Sequence, residues 1–196
     1  IHHPLAVRSS SLLEDSQAGP FAGIYDTFML PNSHPDPSFR LDQLLRAVKL
    51  VYASTFLREA RQYLATTSRI VENEKMGVIV QRLIGNAHDG RFYPDISGVA
   101  QSHNYYPVGP MKPSDGVAYV SLGLGQTVVE GRRTLDFSPA HPKSLIQLSS
   151  VKSALDTTQR SFLALDLGDR DFLPATDSRA NIKPYELEDA VRDGTL

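Results

Sequence analysis

Several features are missing from this sequence, and each absence excludes a class of function. No cysteine occurs among its 196 residues, which excludes disulfide bonds and thiolate metal ligands. No apolar run is long enough to cross a bilayer, so we expect no membrane partner. The formal net charge is only -2, and basic residues do not alternate with aromatic ones, so we expect no nucleic-acid partner either. Any anion must be bound locally, and a reducing, cytoplasmic setting fits the missing cysteines.

The residues that are present predict a globular α+β protein. Hydrophobic residues make up 41% of the chain and charged residues 21%, enough for one domain or two small lobes. Pro/Gly loops separate the apolar runs without forming a domain linker. Strand-like patterns cover residues 4–9, 25–30, 76–84, 95–101 and 117–122, with a weaker signal at 127–130.

One long segment has helical periodicity. From Leu41 onward apolar residues recur at intervals of three and four, through Phe56 and on to Leu64, and Ser38 is a suitable N-cap. Helix-like spacing returns at residues 151–155 and 184–193, near the end of the chain. At residues 72–75 the helical pattern stops and the strand pattern resumes, so we expect a boundary there and two small mixed lobes.

Arg8 and the glycines after it are the first candidate site. Three serines follow Arg8, and Gly19 and Gly23 flank a loop of small and polar residues. A guanidinium group matches phosphate oxygens, and glycine lets backbone amides approach an anion, so the segment could cradle phosphate. The spacing equally allows Arg8 to pair with Glu14 or Asp15 while the loop only turns.

The second candidate site is the glycine segment at residues 119–134. Gly123 and Gly125 follow a strand, but no Gly-Lys-Ser/Thr follows and the third glycine of a dinucleotide fingerprint is missing. By itself the segment also fits a tight turn.

No residue stands out as a catalytic nucleophile or base. The serines after Arg8 lack the G-x-S-x-G pattern, and no two histidines have the spacing of a helical metal site. A loop position held by hydrogen bonds is the simpler interpretation for His103. The six histidines are His2, His3, His34, His88, His103 and His141.

Several separated segments together resemble a known family. VRSSSLLED followed by PFAGIYDTF looks like the signature of the nucleotide-binding domain shared by phosphoenolpyruvate synthase and pyruvate phosphate dikinase. MGVIVQRLI, PDISGVAQS and LGLGQTVVEG then follow in the family's order, so the resemblance covers residues 5–131. The same region is similar to domains of rifampicin phosphotransferase and glucan, water dikinase.

This resemblance implies an ATP-grasp fold of two small α+β lobes that bind ATP and magnesium. Residues 1–75 would be part of the first lobe, residues 76–150 the second lobe, and residues 151–196 a helical extension. The resemblance also implies an ATP-dependent phosphotransferase. ATP would phosphorylate a carrier histidine on a domain outside this chain, which would pass the phosphate to pyruvate, so this chain alone should not turn over.

The resemblance also assigns roles to residues near the nucleotide. Arg8 would bind its phosphates, Gly23 and Thr27 would lie on the loop that covers them, and Gln81 and Leu83 would line the adenine slot.

One position departs from the family pattern. Gln126 stands where the family has a glutamate that ligates magnesium, and an amide oxygen brings no charge to the metal. We therefore take Gln126 and Glu130 as the candidate metal ligands, with Arg132 or Arg133 as alternative substitutes in the phosphate site. This departure leaves open a degenerate, non-catalytic module with a regulatory or assembly role. The resemblance to several phosphotransferases also leaves open a related enzyme with another acceptor.

Overall fold

Two structural units make up the chain. In this computed structural model the described residues are 2–11, 14, 23–58, 60–62 and 75–196. The first unit comprises Ile1–Ile84 and Leu165–Lys183, and the second comprises Gly85–Ala164 and Pro184–Leu196. The predicted lobes at 1–75 and 76–150, and the extension at 151–196, remain predictions.

The first unit contains a three-stranded antiparallel sheet in the order β2-β1-β3. Its strands are β1 (Leu5–Ser11), β2 (Thr27–Leu30) and β3 (Met76–Arg82). Successive side chains of a strand point to opposite faces. Val7, Phe28 and Leu30 lie on one face and are almost fully buried.

Helix α1 (Pro37–Ser54) covers that apolar face, where its Ala47 and Val51 join the core. Asp36 is its N-cap, because the Asp36 carboxylate accepts a hydrogen bond from the Ser38 amide at 2.9 Å. The helix prediction is therefore confirmed, whereas the Ser38 cap is wrong by two positions. The expected continuation through Tyr63 and Leu64 lies outside the described residues.

The other strands form two further sheets. A four-stranded sheet has the order β10-β9-β5-β4, and an antiparallel three-stranded sheet has the order β6-β7-β8. Tyr93, Leu122, Phe162, Ala164 and Ala190 form the core of the second unit. The strands are β4 (Asn86–His88), β5 (Arg91–Tyr93), β6 (Ser97–Gln101), β7 (Val117–Ser121), β8 (Leu135–Phe137), β9 (Ser161–Asp166) and β10 (Ile182–Glu186).

The weak strand signal at residues 127–130 is wrong, because residues 127–129 belong to the short helix α2 (Gln126–Val129) and Glu130 is its C-cap. The Val129 amide donates to the Gly125 carbonyl, and the Glu130 amide donates to the Gln126 carbonyl. Gly131 then turns the chain with a φ of 63°. These local hydrogen bonds outweigh the β-branched character of Thr127, Val128 and Val129.

Near the C-terminus the structure has α3 (Val151–Thr157) and α4 (Leu187–Asp193), in agreement with both helix-like patterns. The same part of the chain also supplies β9 and β10. The fold is thus a mixed α+β arrangement of several small sheets and few helices, as expected. Within the described ranges, every helix is too short or too polar to cross a lipid bilayer.

Candidate functional site

An open face of the first unit's sheet brings together residues from all three strands. Arg8 in β1 lies directly opposite Thr27 in β2 and Ile79 in β3. Paired residues of an antiparallel sheet point to the same side. Since Val7 and Phe28 point toward α1, Arg8, Thr27 and Ile79 point away from it, and all three are exposed. We call this surface the Arg8 face.

Gln81 belongs to the same face. It pairs with Ala6, two positions before Arg8 on β1, and is exposed. Leu83 lies just beyond β3, where its amide donates to the Pro4 carbonyl at 2.9 Å. The Leu83 amide is thus already used in a backbone hydrogen bond.

Gly23 lies four residues before Thr27 in a conformation that favours glycine. Its φ is 81°, and nothing lies within 4 Å of a Cβ built there. The requirement for glycine is therefore conformational rather than steric.

Arg8 has no hydrogen-bond or ion-pair partner among the described residues, and the nearby Glu14 is engaged elsewhere. One carboxylate oxygen of Glu14 accepts from the Ser9 hydroxyl at 2.7 Å, and the other accepts from the Ser11 amide at 2.9 Å. The Ser11 hydroxyl accepts from the Glu14 amide at 3.1 Å, so the contact between Ser11 and Glu14 is reciprocal. The alternative pairing of Arg8 with Glu14 is therefore wrong, and Asp15 lies outside the described residues.

The Arg8 face combines groups suited to an anion with an apolar part. Arg8 offers a guanidinium group, Thr27 a hydroxyl and Gln81 an amide. Ile79 lies opposite Arg8 and two positions before Gln81 on β3, and its side chain is 42% exposed. Guanidinium groups form strong, charge-assisted hydrogen bonds with phosphate oxygens. These groups are chemically suited to a ligand that has both phosphate groups and an apolar ring.

In the second unit, the glycine segment packs closely against β9. Gly123 has a φ of 83°, and a Cβ there would lie 2.6 Å from the Leu163 carbonyl oxygen. The Leu124 amide donates to that carbonyl, and the Ser97 hydroxyl donates to the Gly123 carbonyl. Gly123 is thus required by backbone packing, which supports the tight-turn interpretation for this position.

Gln126 is the first residue of α2 and Glu130 is its C-cap, and their side chains form a hydrogen bond. Nε2 of Gln126 donates to Oε1 of Glu130 at 2.5 Å, and Nε of Arg132 donates to Oε2 of Glu130 at 2.7 Å. Oε1 of Gln126 is buried and has no hydrogen-bond partner among the described residues. The two expected metal ligands therefore do not turn their oxygens toward a common point. Over the described ranges, no three His, Cys, Asp or Glu side chains cluster in a way that could hold a metal ion.

A buried ion pair in the second unit was missed by the sequence analysis. Nε and Nη2 of Arg91 each donate to one Asp193 oxygen at 2.8 Å, and the Tyr93 hydroxyl donates to Oδ2 of Asp193 at 2.7 Å. The hydrogen bond from Arg91 lowers the pKa of Asp193 to about 2, with help from Tyr93 and against the effect of burial. Burial and the contact with Asp193 raise the pKa of Tyr93 to about 12. Arg91 and Asp193 are 102 residues apart, so no local pattern could reveal the pair.

Comparison with known proteins identifies similar sequences. The sequence model for the AMP/ATP-binding domain of pyruvate phosphate dikinase matches residues 1–174. An uncharacterized phosphotransferase of Bacillus subtilis (strain 168), YvkC, is 31% identical over 137 residues. That alignment covers 69% of this chain but only 14% of the relative, so the chain spans a small part of the relative's length.

Proposed function

Because the chain belongs to the family of pyruvate phosphate dikinase AMP/ATP-binding domains, we propose that its Arg8 face binds ATP as part of an ATP-grasp fold. Nucleotide-binding phosphotransfer is the function at the level of the family. The observation that supports this site most directly is an exposed arginine with no partner among the described residues, on a face shared with Thr27 and Gln81.

Each residue of the proposed site has a distinct role. Arg8 binds the phosphate oxygens, and it stabilises the charge that develops on the transferred group. The Thr27 hydroxyl and the Gly23 amide donate to further phosphate oxygens. Gln81 and the Leu83 carbonyl bind the polar edge of the adenine. We assign no proton transfer to these residues.

In this proposal the histidine that accepts the phosphoryl group lies in another part of a larger polypeptide. The bond between a phosphoryl group and the rest of ATP breaks as a bond to a carrier-histidine nitrogen forms, and the group then passes to pyruvate. This chain spans 14% of its relative, so we assign the carrier histidine and the pyruvate site to other domains. We place the reaction in the cytoplasm, where ATP is available.

In this proposal magnesium arrives bound to the nucleotide and is not ligated by Gln126 and Glu130. A magnesium ion prefers carboxylate and water oxygens in an octahedral arrangement. The Glu130 carboxylate is bound by Gln126 and Arg132, and the amide oxygen of Gln126 points elsewhere. This pair does not fit the ion, and we derive no step through it.

Transfer of labelled phosphate from ATP tests the proposal in the longer protein. We expect an acid-labile phosphohistidine, which pyruvate discharges and which Arg8→Ala abolishes. Arg46→Ala is the matched control, since Arg46 is an exposed arginine of the same unit that is paired with Asp42 at 2.7 Å. Undiminished labelling of the Arg8→Ala protein would contradict the role of Arg8, and an alkali-labile or absent label would contradict transfer to histidine.

A second candidate function is a degenerate module that binds nucleotide without transferring it. The contact between Gln126 and Glu130 favours it, because the position where the family resemblance implies a metal-binding carboxylate holds a neutral amide. A longer protein that binds ATP but labels no histidine would support this candidate. Labelling that pyruvate does not discharge would instead indicate another acceptor, such as an antibiotic hydroxyl or a glucan.

A further inference from the structure

Glu14 is close to Arg8 in the sequence, but its carboxylate is held on the other side of the sheet. Ser9 pairs with Val78 of β3, and Val78 packs against the core that α1 covers. Paired residues point to the same side, so Ser9 points toward α1, where it is only 3% exposed. Because the Ser9 hydroxyl donates to Oε1 of Glu14, this carboxylate lies on the α1 side of β1, opposite to the Arg8 face.

Ser11 binds the second oxygen of the same carboxylate. The Ser11 amide donates to Oε2 of Glu14 at 2.9 Å, so each oxygen of Glu14 has a donor and neither donor is an arginine. An ionised carboxylate can only accept hydrogen bonds, and these two donors stabilise its charge. The backbone donor stays in every variant, whereas the Ser9 hydroxyl can be removed by substitution.

A carboxylate on the Arg8 face would oppose the binding of phosphate. It would form an ion pair with the guanidinium group of Arg8 and would repel a ligand that carries several negative charges. Arg8 has no hydrogen-bond or ion-pair partner among the described residues, although Glu14 is only six positions further along the chain. The hydrogen bond from Ser9 accounts for this separation of the two charges.

We propose that Ser9 and Glu14 are positioning residues of the nucleotide site. The Ser9 hydroxyl retains the Glu14 carboxylate on the α1 side and so leaves the Arg8 guanidinium group free for phosphate. This inference rests on the proposed function, because the phosphate we have in mind is that of ATP. It deepens that function by giving a role to the first serine after Arg8, which does not itself touch the ligand.

The reactivity of Arg8 toward phenylglyoxal tests the inference without any nucleotide. This reagent condenses with guanidinium groups, and an ion-paired guanidinium reacts more slowly than a free one. We expect Ser9→Ala to slow the modification of Arg8 roughly two- to fivefold, the effect of one exposed ion pair. Peptide mass spectrometry measures the rate, and Arg46, which is paired with Asp42, is the internal reference that should not change.

A second substitution separates this role from simple stabilisation of β1. Ser9→Ala combined with Glu14→Gln should restore the reactivity of Arg8, because a neutral amide forms no ion pair with it. If Ser9 and Glu14 only stabilised the end of the strand, removing both would restore nothing. Ser10→Ala is the matched control, since the Ser10 hydroxyl makes no contact with Glu14 within the described ranges, and it should react like the unmodified protein.

Unchanged Arg8 reactivity in Ser9→Ala, or a loss that Glu14→Gln does not restore, would overturn the inference. If circular dichroism shows that Ser9→Ala does not fold, Glu14→Gln alone decides the matter. A carboxylate that is already kept away from Arg8 should not affect its reactivity, so faster modification in Glu14→Gln would contradict the proposal.

ATP titrations of the same variants distinguish this inference from the proposed function. We expect the ATP affinity to fall in Ser9→Ala and to recover in the double variant, in parallel with the reactivity of Arg8. The expected reactivities without any ATP binding would contradict the proposed function and leave the positioning of Glu14 intact. ATP binding that depends on Arg8, with equal reactivity in all variants, would contradict only the positioning.

Discussion

The two units use their arginines in opposite ways. In the first unit Arg8 lies on an open sheet face without a partner among the described residues, whereas in the second unit Arg91 is 9% exposed and bound to Asp193 through two hydrogen bonds. A buried guanidinium must be paired to offset its desolvation, and an exposed one need not be. The contrast indicates that Arg91 stabilises the second unit, and it supports our proposal that Arg8 binds a ligand.

Removal of the partner of Arg91 should have the largest effect on stability. Asp193→Ala removes both short hydrogen bonds of the buried Arg91 guanidinium and leaves only the longer contact with Asp189 at 3.7 Å, so we expect the free energy of unfolding to fall by up to about 3–5 kcal/mol. Urea unfolding, with hydrogen exchange to locate the change in the second unit, measures this loss. Asp42→Ala is the control, because its exposed pair with Arg46 should contribute less than about 1 kcal/mol. A loss below about 1 kcal/mol for Asp193→Ala would contradict the comparison.

Acid should weaken the second unit through the same pair. The pKa of Asp193 is lowered from 3.8 to about 2 on folding, chiefly by the hydrogen bond from Arg91. The stabilisation is therefore fully present above pH 3.8 and is lost as the pH falls toward 2. The shift corresponds to about 2 kcal/mol. Urea unfolding between pH 6 and pH 2 should show this acid loss in the unmodified chain and a smaller one in Asp193→Asn, and equal losses would contradict the assignment.

A smaller change should separate stability from binding within the first unit. Asp36→Ala removes the N-cap of α1 and should cost about 1 kcal/mol of unfolding free energy. Since α1 covers the face of the sheet opposite to Arg8, nucleotide affinity should stay the same. Urea unfolding and an ATP titration of one preparation check both statements, and Asp36→Asn serves as the conservative control. A parallel loss of affinity would show that the Arg8 face depends on α1 more than its geometry indicates.

Part of the fold could be predicted because its signals are local. The interval of three and four residues indicated α1, and the short apolar run before Arg8 indicated β1. Strand β9 was missed because Phe162, Leu163, Ala164 and Leu165 are all buried. Such a continuous apolar run does not show the period of a strand.

The candidate site, like the fold, could be predicted only in part from the sequence. Alternation within the predicted strands is enough to separate Arg8 from Val7, but the pairing of Arg8 with Ile79 depends on sheet register, which the segment alone does not determine. The contacts of Gln126 with Glu130, and of Glu130 with Arg132, depend on α2. The sequence analysis missed this helix because its β-branched residues favour a strand. The pair of Arg91 and Asp193 had no local signal at all.

Calorimetric titration of the chain with ATP, compared with Arg8→Ala and Arg46→Ala, tests the central claim most directly. A charge-assisted hydrogen bond contributes about 1.5–3 kcal/mol, so we predict an affinity about 10- to 150-fold lower in Arg8→Ala. Arg46→Ala should bind ATP like the unmodified chain, because Arg46 is engaged with Asp42 on α1. Equal ATP affinity in all three proteins, or no binding by the unmodified chain, would contradict the claim that the Arg8 face binds the nucleotide.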